Sequence, residues 1–224
     1  MLQVEANQKA QDLAYESLKQ AIITGEIVPG SRIVETSFAK QMHLSRTPLR
    51  DALRRLQEDG LVECQPHRGW LVNAFTIDDV EEIFTIRNDM VLLLLPSVVE
   101  QIRPEDLDQL QEILQEMDVA QEQMDCDKLA LYNRNFHSAL EKISGKRHIL
   151  RVIDSQEAYV NRFSAVTIAN IVRHSKAHQE HHEMIQLLRE KNLEKLTDLM
   201  RHHLQESKDT CLDTLEGIAF RRKE

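Results

Sequence analysis

Histidines are concentrated in the second half of the chain, where eight of the ten follow residue 136. At about 100° per residue, His181 and His203 fall within the apolar stripes of two predicted helices. His137 lies beside the stripe of a third helix, and Asn133 precedes it by four residues on the same flank. Imidazoles that converge inside a helix bundle are common ligands for Zn, Ni and related divalent ions. These four residues form the predicted metal site.

The competing interpretation treats each of these histidines as a core residue with one hydrogen-bond partner, and for any single histidine it is the favoured one. Their sequence neighbours His182 and His202 are rotated away from the apolar stripes. His174 and His178 also lie near the inner face of their predicted helix, and periodicity does not exclude them.

Arginines recur at four-residue spacing on a second predicted helix, as Arg46, Arg50 and Arg54, with Thr47 beside them and Ser45 as the predicted N-cap. Another face of this helix is apolar and holds Leu49, Ala52, Leu53 and Leu56. A helix anchored by that stripe presents guanidinium groups outward near its N-terminus, which suits phosphates or guanine edges in a DNA major groove. The alternative is a solvated basic face on an ordinary helix.

A basic hairpin tip follows this helix and favours the DNA-binding interpretation. Residues 66–69 are predicted to join two short strands, which places Arg68 and Gly69 at the tip. Such a wing supplies a second contact with the DNA backbone or minor groove.

Arg87 lies on the inward face of another predicted helix, between Ile83, Met90 and Leu94. A buried guanidinium requires an anionic partner. That partner is either an Asp or Glu of the chain or the carboxylate of a bound effector.

The elements that must position these residues are mostly helices. Over residues 1–75 the pattern predicts helix 10–24, strand 32–34, helices 35–42 and 45–59, and strands 61–63 and 70–72. Beyond residue 76 it predicts helices at 77–101, 104–124, 126–144, 147–168, 171–190 and 192–216. The expected fold is therefore mainly α, with an N-terminal winged helix-turn-helix domain (1–75) and a C-terminal all-α helical bundle (76–224).

Composition and motifs narrow the function classes. Residues 1–75 carry nine basic and nine acidic side chains, so the whole net charge of −9 falls on the remainder.

Three scattered cysteines without a CxxC pair favour the reducing cytoplasm, and no apolar run is long enough to span a membrane. The chain lacks the catalytic motifs HExxH and GxSxG and a phosphate-binding glycine loop, so we expect that the protein is not an enzyme. A metal-dependent helical-bundle hydrolase is the alternative.

The segment 34–72, and above all the run SRTPLRDALRRLQEDGLVE, resembles the DNA-binding domain of GntR-family transcription regulators. This resemblance implies operator contacts by Arg46, Thr47 and Arg50 and a wing tip at Arg68 and Gly69. Some members have a further DNA-contacting Arg at the position held here by Thr36.

Residues 77–216 resemble the all-helical FCD ligand-binding domain of the FadR-like branch of that family. Its metal-binding members carry an Asp four residues before the His of a Phe-His pair, then a Glu-His pair, then a His on the last helix. The matching residues are Asn133, Phe136-His137, Glu180-His181 and His203. The resemblance implies a three-histidine site for Zn or Ni, with Asn133 as a weaker neutral ligand.

The sequence thus predicts a bacterial, cytoplasmic transcription regulator. Its expected partners are double-stranded operator DNA, a second copy of the chain in a homodimer, and a small organic-acid effector held by Arg87. Dimerisation is expected because one reading helix buries too little DNA surface for tight specific binding.

Overall fold

The computed structural model describes residues 2–221 apart from residues 67, 75 and 165–170, and for 2–8, 158, 161–164, 171–175 and 216–221 it describes the backbone alone. The chain divides into two compact units, Met1–Thr76 and Ile77–Glu224. No described helix is both long and apolar enough to cross a membrane.

The first unit contains three helices and a small antiparallel sheet. Its elements are α1 (Leu2–Ile23), β1 (Arg32–Ile33), α2 (Glu35–Gln41), α3 (Arg46–Glu58), β2 (Val62–Gln65) and β3 (Gly69–Val72). The strand order is β1-β3-β2, with Val62 opposite Val72 and Gln65 opposite Gly69. The core holds Ile22, Ile33, Leu49, Leu53, Leu56 and Leu61, all at most 1% exposed. This is the predicted winged helix-turn-helix.

Gly69 allows the hairpin to close against β1. Its φ is +85°, and a Cβ at this position would lie 3.2 Å from the carbonyl oxygen of Ile33. A side chain here would strain the backbone and press on the neighbouring strand. The glycine therefore fixes where β3 begins, directly after the exposed Arg68.

The second unit is all-helical in its described part. Its helices are α4 (Ile77–Gln101), α5 (Pro104–Glu122), α6 (Cys126–Ile143), α7 (Arg147–Ser164), α8 (Ile171–Arg189) and α9 (Leu193–Arg221). Helix α4 packs on α6, α7 and α9, and α8 packs on α5 and α9. Apolar side chains from α4 to α9 fill one core, including Leu94, Phe136, Met184 and Met200, which are fully buried.

Two sequence predictions about local structure need correction. Helix α1 begins at Leu2 and not near residue 10, because residues 2–9 are mostly good helix formers and contain neither Gly nor Pro. Ser45 does occupy the N-cap position of α3, but its side chain makes no capping hydrogen bond. The helix start is held by packing of the buried Pro48 and Leu49 instead.

Candidate functional sites

Three buried histidines from three helices meet in the second unit. Nε2 of His137 on α6 lies 3.2 Å from Nε2 of His181 on α8 and 3.3 Å from Nε2 of His203 on α9. The exposed fractions of these residues are 8%, 1% and 3%. Each histidine lies on the inward face of its helix, where neighbouring apolar residues draw it into the core. The arrangement brings three potential ligand nitrogens within 4.8 Å of one another.

A buried carboxylate sets the orientation of one of these rings. Oε2 of Glu180 lies 2.7 Å from Nδ1 of His203, and Glu180 is 6% exposed. When Nδ1 donates its proton to this carboxylate, the Nε2 lone pair of His203 faces the other two histidines. This carboxylate–histidine arrangement is typical of metal ligands. Glu180 therefore acts as a positioning residue for the cluster.

The protonation state of His137 also suits a cation. Burial, aided by nearby His203 and Arg87, holds the pKa of His137 well below its usual range. Its ring is therefore neutral near pH 7, as a metal ligand must be. Three buried imidazoles, one of them oriented by a carboxylate, fit Zn, Ni or a related divalent ion, whose binding would supply a positive charge at the Nε2 atoms.

The sequence also singled out Asn133 and three further histidines, namely His174, His182 and His202. Asn133 is half-buried on α6, one turn before His137, and no hydrogen bond joins it to the three histidines in the described part of the chain. His182 and His202 are exposed, as their wheel positions predict. The side chain of His174 lies outside the described residues.

Arg87 forms a buried ion pair. Its Nη2 lies 2.9 Å from Oε1 of Glu141, and the two side chains are 14% and 7% exposed. Burial raises the pKa of Glu141 although Arg87 opposes the shift. The partner of Arg87 is thus a carboxylate of the chain itself, one of the two alternatives that the sequence left open. The pattern could have indicated Glu141, which follows His137 by four residues on α6.

A cavity adjoins this ion pair. Its polar lining comes from Arg87, Arg134, Ser138, Glu141, Asp154 and Glu157. Arg134 is half-buried and, among the described residues, forms no ion pair. Sequence analysis missed Arg134, because it lies beside the apolar stripe of α6 and has no motif around it.

In the first unit, most of the residues predicted to read DNA are exposed. Thr47, Arg54 and Arg68 are exposed, and Gly69 is half-buried at the wing. The side chains of Arg46 and Arg50 are 59% and 45% exposed. Within the described part of the chain, Arg54 makes a 3.7 Å contact with Asp51 on its own helix. The guanidinium groups are therefore accessible to a DNA backbone.

Glu35 holds two of these arginines, a contact that sequence analysis missed. Its Oε2 lies 2.7 Å from Nη2 of Arg50 and 3.2 Å from Nη2 of Arg46, and its Oε1 accepts a hydrogen bond from Trp70. These contacts lower the pKa of Glu35 to about 2, with the Arg50 hydrogen bond as the largest cause. A permanent carboxylate thus links α2, α3 and β3 and orients both guanidinium groups.

The winged helix-turn-helix of the first unit and the all-helical second unit are the fold of a class of transcription regulators, and the family models agree with it. The FCD domain family model matches residues 82–206, and the model of bacterial regulatory proteins of the gntR family matches residues 10–72. The chain belongs to the GntR family, in the branch with an FCD domain.

Individual relatives agree with this assignment. The HTH-type transcriptional regulator YdhC of Bacillus subtilis (strain 168) is 29% identical over 181 residues, which are 80% of this chain and 81% of YdhC. McbR of Escherichia coli (strain K12) is 32% identical over 55% of this chain and 56% of its own. The solved structure of E. coli McbR/YncC superposes with a TM-score of 0.67 at 23% identity, covering 96% and 99% of the two chains, and supports the fold.

These families and relatives are transcription regulators and not enzymes. The hydrolase alternative therefore finds no support.

Proposed function

We propose that the protein binds a palindromic operator as a homodimer, and that a small carboxylate, bound next to a divalent metal in the helical unit, changes its affinity for DNA. The main support for the metal and effector part of this proposal is the convergence of three buried Nε2 atoms, with Glu180 orienting His203. His137, His181 and His203 would hold the metal, with Asn133 as a weak or water-bridged fourth ligand. The metal would supply Lewis acidity toward an effector oxygen.

The cavity beside Arg87 supports a carboxylate effector. Glu141, the partner of Arg87, follows His137 by one turn on α6, and Arg87 contributes to lowering the pKa of His137. Arg134 lines the same cavity and offers a second guanidinium, which is without an ion-pair partner in the described part of the chain. The same lining carries the carboxylates of Glu141, Asp154 and Glu157, so an organic acid would bind there by pairing with Arg134 and by displacing Glu141 from Arg87.

Regulation requires only a modest coupling between ligand and DNA. A coupling free energy of about 1–3 kcal/mol changes DNA affinity by roughly 5- to 150-fold. By linkage, operator DNA must change effector affinity by the same factor.

Organic acids that raise the melting temperature of metal-loaded protein should therefore also shift operator binding. Replacement of Arg134 with alanine should weaken both effects without removing DNA binding.

We expect selection from random DNA to enrich a palindrome, and we expect the protein to be a dimer in solution. The basis is that two copies of α3 are needed to read two half-sites about one helical turn apart. Sequencing of the selected pool gives the first result, and light scattering at micromolar concentration gives the second. A monomer both with and without the selected DNA, or a pool without symmetry, would contradict the proposal.

Replacing Asn133 with aspartate should tighten metal binding by about tenfold or more, because it adds a negative charge beside the three imidazoles. The measurement is competition for Zn²⁺ against a chromophoric chelator. Asn135→Asp is the matched control, since Asn135 is exposed on the same helix and receives the same charge. Equal Zn²⁺ affinities for the two variants would show that position 133 does not contact the metal.

A further inference from the structure

A second group of potential metal ligands lies where α5 packs on α8. His178 and His182 are one turn apart on α8, so their side chains share a face. Asp118 on α5 faces them across the α5–α8 contact. Its Oδ1 contacts Nε2 of His178 and lies 3.4 Å from Nε2 of His182. One carboxylate oxygen and two imidazole nitrogens thus converge on one point.

We call Asp118, His178 and His182 the outer cluster. It shares no residue with the buried histidine cluster, and it is partly exposed to solvent. Its side chains are 41%, 13% and 47% exposed. The two histidine rings meet edge to face with centroids 5.0 Å apart. Among the described residues, Asp118 has no lysine or arginine partner, so no fixed cation neutralises it there. The three ligand atoms lie within 4.8 Å of one another.

We infer that the outer cluster is a second divalent-metal site, for Zn²⁺ or a similar transition-metal ion. Two imidazoles and one carboxylate are a common set of three protein ligands for such ions. Because Asp118 and His182 are accessible, water can complete the coordination and the ion can exchange with solvent. Bound metal replaces the direct histidine–aspartate contacts and links α5 to α8.

The site has a structural consequence for the buried cluster. Helix α8 carries His178 and His182 of the outer cluster and also Glu180 and His181, which are buried in the core. An ion that fixes α8 against α5 therefore stabilises the helix that supplies a ligand and the positioning carboxylate of the buried cluster. Added Zn²⁺ should raise the melting temperature through this site even when the buried cluster lacks a ligand.

The test is the number of Zn²⁺ ions bound by full-length protein after chelator treatment, measured by titration calorimetry and by elemental analysis. Wild-type protein should bind two ions per chain, and His182→Ala and Asp118→Asn should each bind one. In a His181→Ala background one ion should remain, and addition of His182→Ala should remove it. His202→Ala, which alters an exposed histidine outside the cluster, should retain both ions.

The outcomes separate this inference from the buried site. If His182→Ala and Asp118→Asn bind as much Zn²⁺ as the wild type, the outer cluster is only a hydrogen-bonded contact. If wild-type protein binds one ion, and that ion is lost in His182→Ala but kept in His181→Ala, the outer site stands and the buried site fails. Circular dichroism of each variant shows whether it is folded. If His181→Ala does not fold, the single variants His182→Ala and Asp118→Asn still decide the question.

Discussion

His181→Ala is expected to abolish metal binding at the buried cluster. The replacement removes one of three imidazoles whose Nε2 atoms lie 3.2–3.3 Å from a neighbour, and leaves His137 and His203 without the third protein ligand. Two imidazoles and a neutral amide are a poor set for a divalent ion in a buried place. We expect the protein to lose one equivalent of Zn²⁺ or Ni²⁺.

The stabilisation that the bound metal provides should also be lost in His181→Ala. Metal present at about 1,000 times its dissociation constant stabilises a folded protein by about 4 kcal/mol. His181 is 1% exposed, so the alanine variant also loses packing in the core. The informative quantity is therefore the change in melting temperature on adding metal, measured separately for each variant. This comparison removes the packing loss, which is the same with and without metal.

The matched control is His202→Ala, which removes an imidazole that lies next to His203 but is exposed. It should keep the metal-dependent shift in full. To isolate the buried cluster from Asp118, His178 and His182, both variants are compared in a His182→Ala background. An unchanged metal-dependent shift in His181→Ala would mean that the three histidines are a hydrogen-bonded core. The effector would then depend on the guanidinium groups of the cavity alone.

Arg50→Ala is expected to weaken binding to the selected operator by about 5- to 150-fold. Arg50 projects from the first turns of α3, and Glu35 holds its guanidinium through Nε and Nη2 at 3.0 and 2.7 Å. A guanidinium fixed in this way can bind both acceptors of a guanine edge at small entropic cost. The measurement is a fluorescence-anisotropy titration of operator and of scrambled DNA at several salt concentrations.

Two further variants separate base reading from simple charge. Arg50→Lys keeps the charge but loses the planar pair of donors, so affinity for the operator should fall while affinity for scrambled DNA remains. Arg201→Ala removes one exposed arginine from the helical unit and should leave both affinities unchanged. If Arg50→Ala retains wild-type operator affinity with an intact fold, α3 is not the reading helix. A different result would be a loss of affinity that is equal for operator and scrambled DNA, with the slope of log binding constant against log salt concentration reduced by about 1. Arg50 would then contact phosphate and not a base.

The local pattern was enough to predict several features of the sites. The inward positions of His137, His181 and His203 and the outward positions of His182 and His202 follow from the helical period, because a side chain's direction depends on the backbone of its own helix. The same holds for the exposed arginines of α3 and its buried apolar face. Gly69 and the short strands beside it likewise indicated the wing.

The partners of these residues required the tertiary structure. Glu35 and Arg50 are 15 residues apart in the chain, Arg87 and Glu141 are 54 apart, and Asp118 and His178 are 60 apart. Each pair joins different helices, and its contact depends on the distance and rotation with which those helices pack. No local period contains that information. His182 shows the difference: its sequence position determined that it faces solvent, and only the packing of α8 on α5 placed Asp118 beside it.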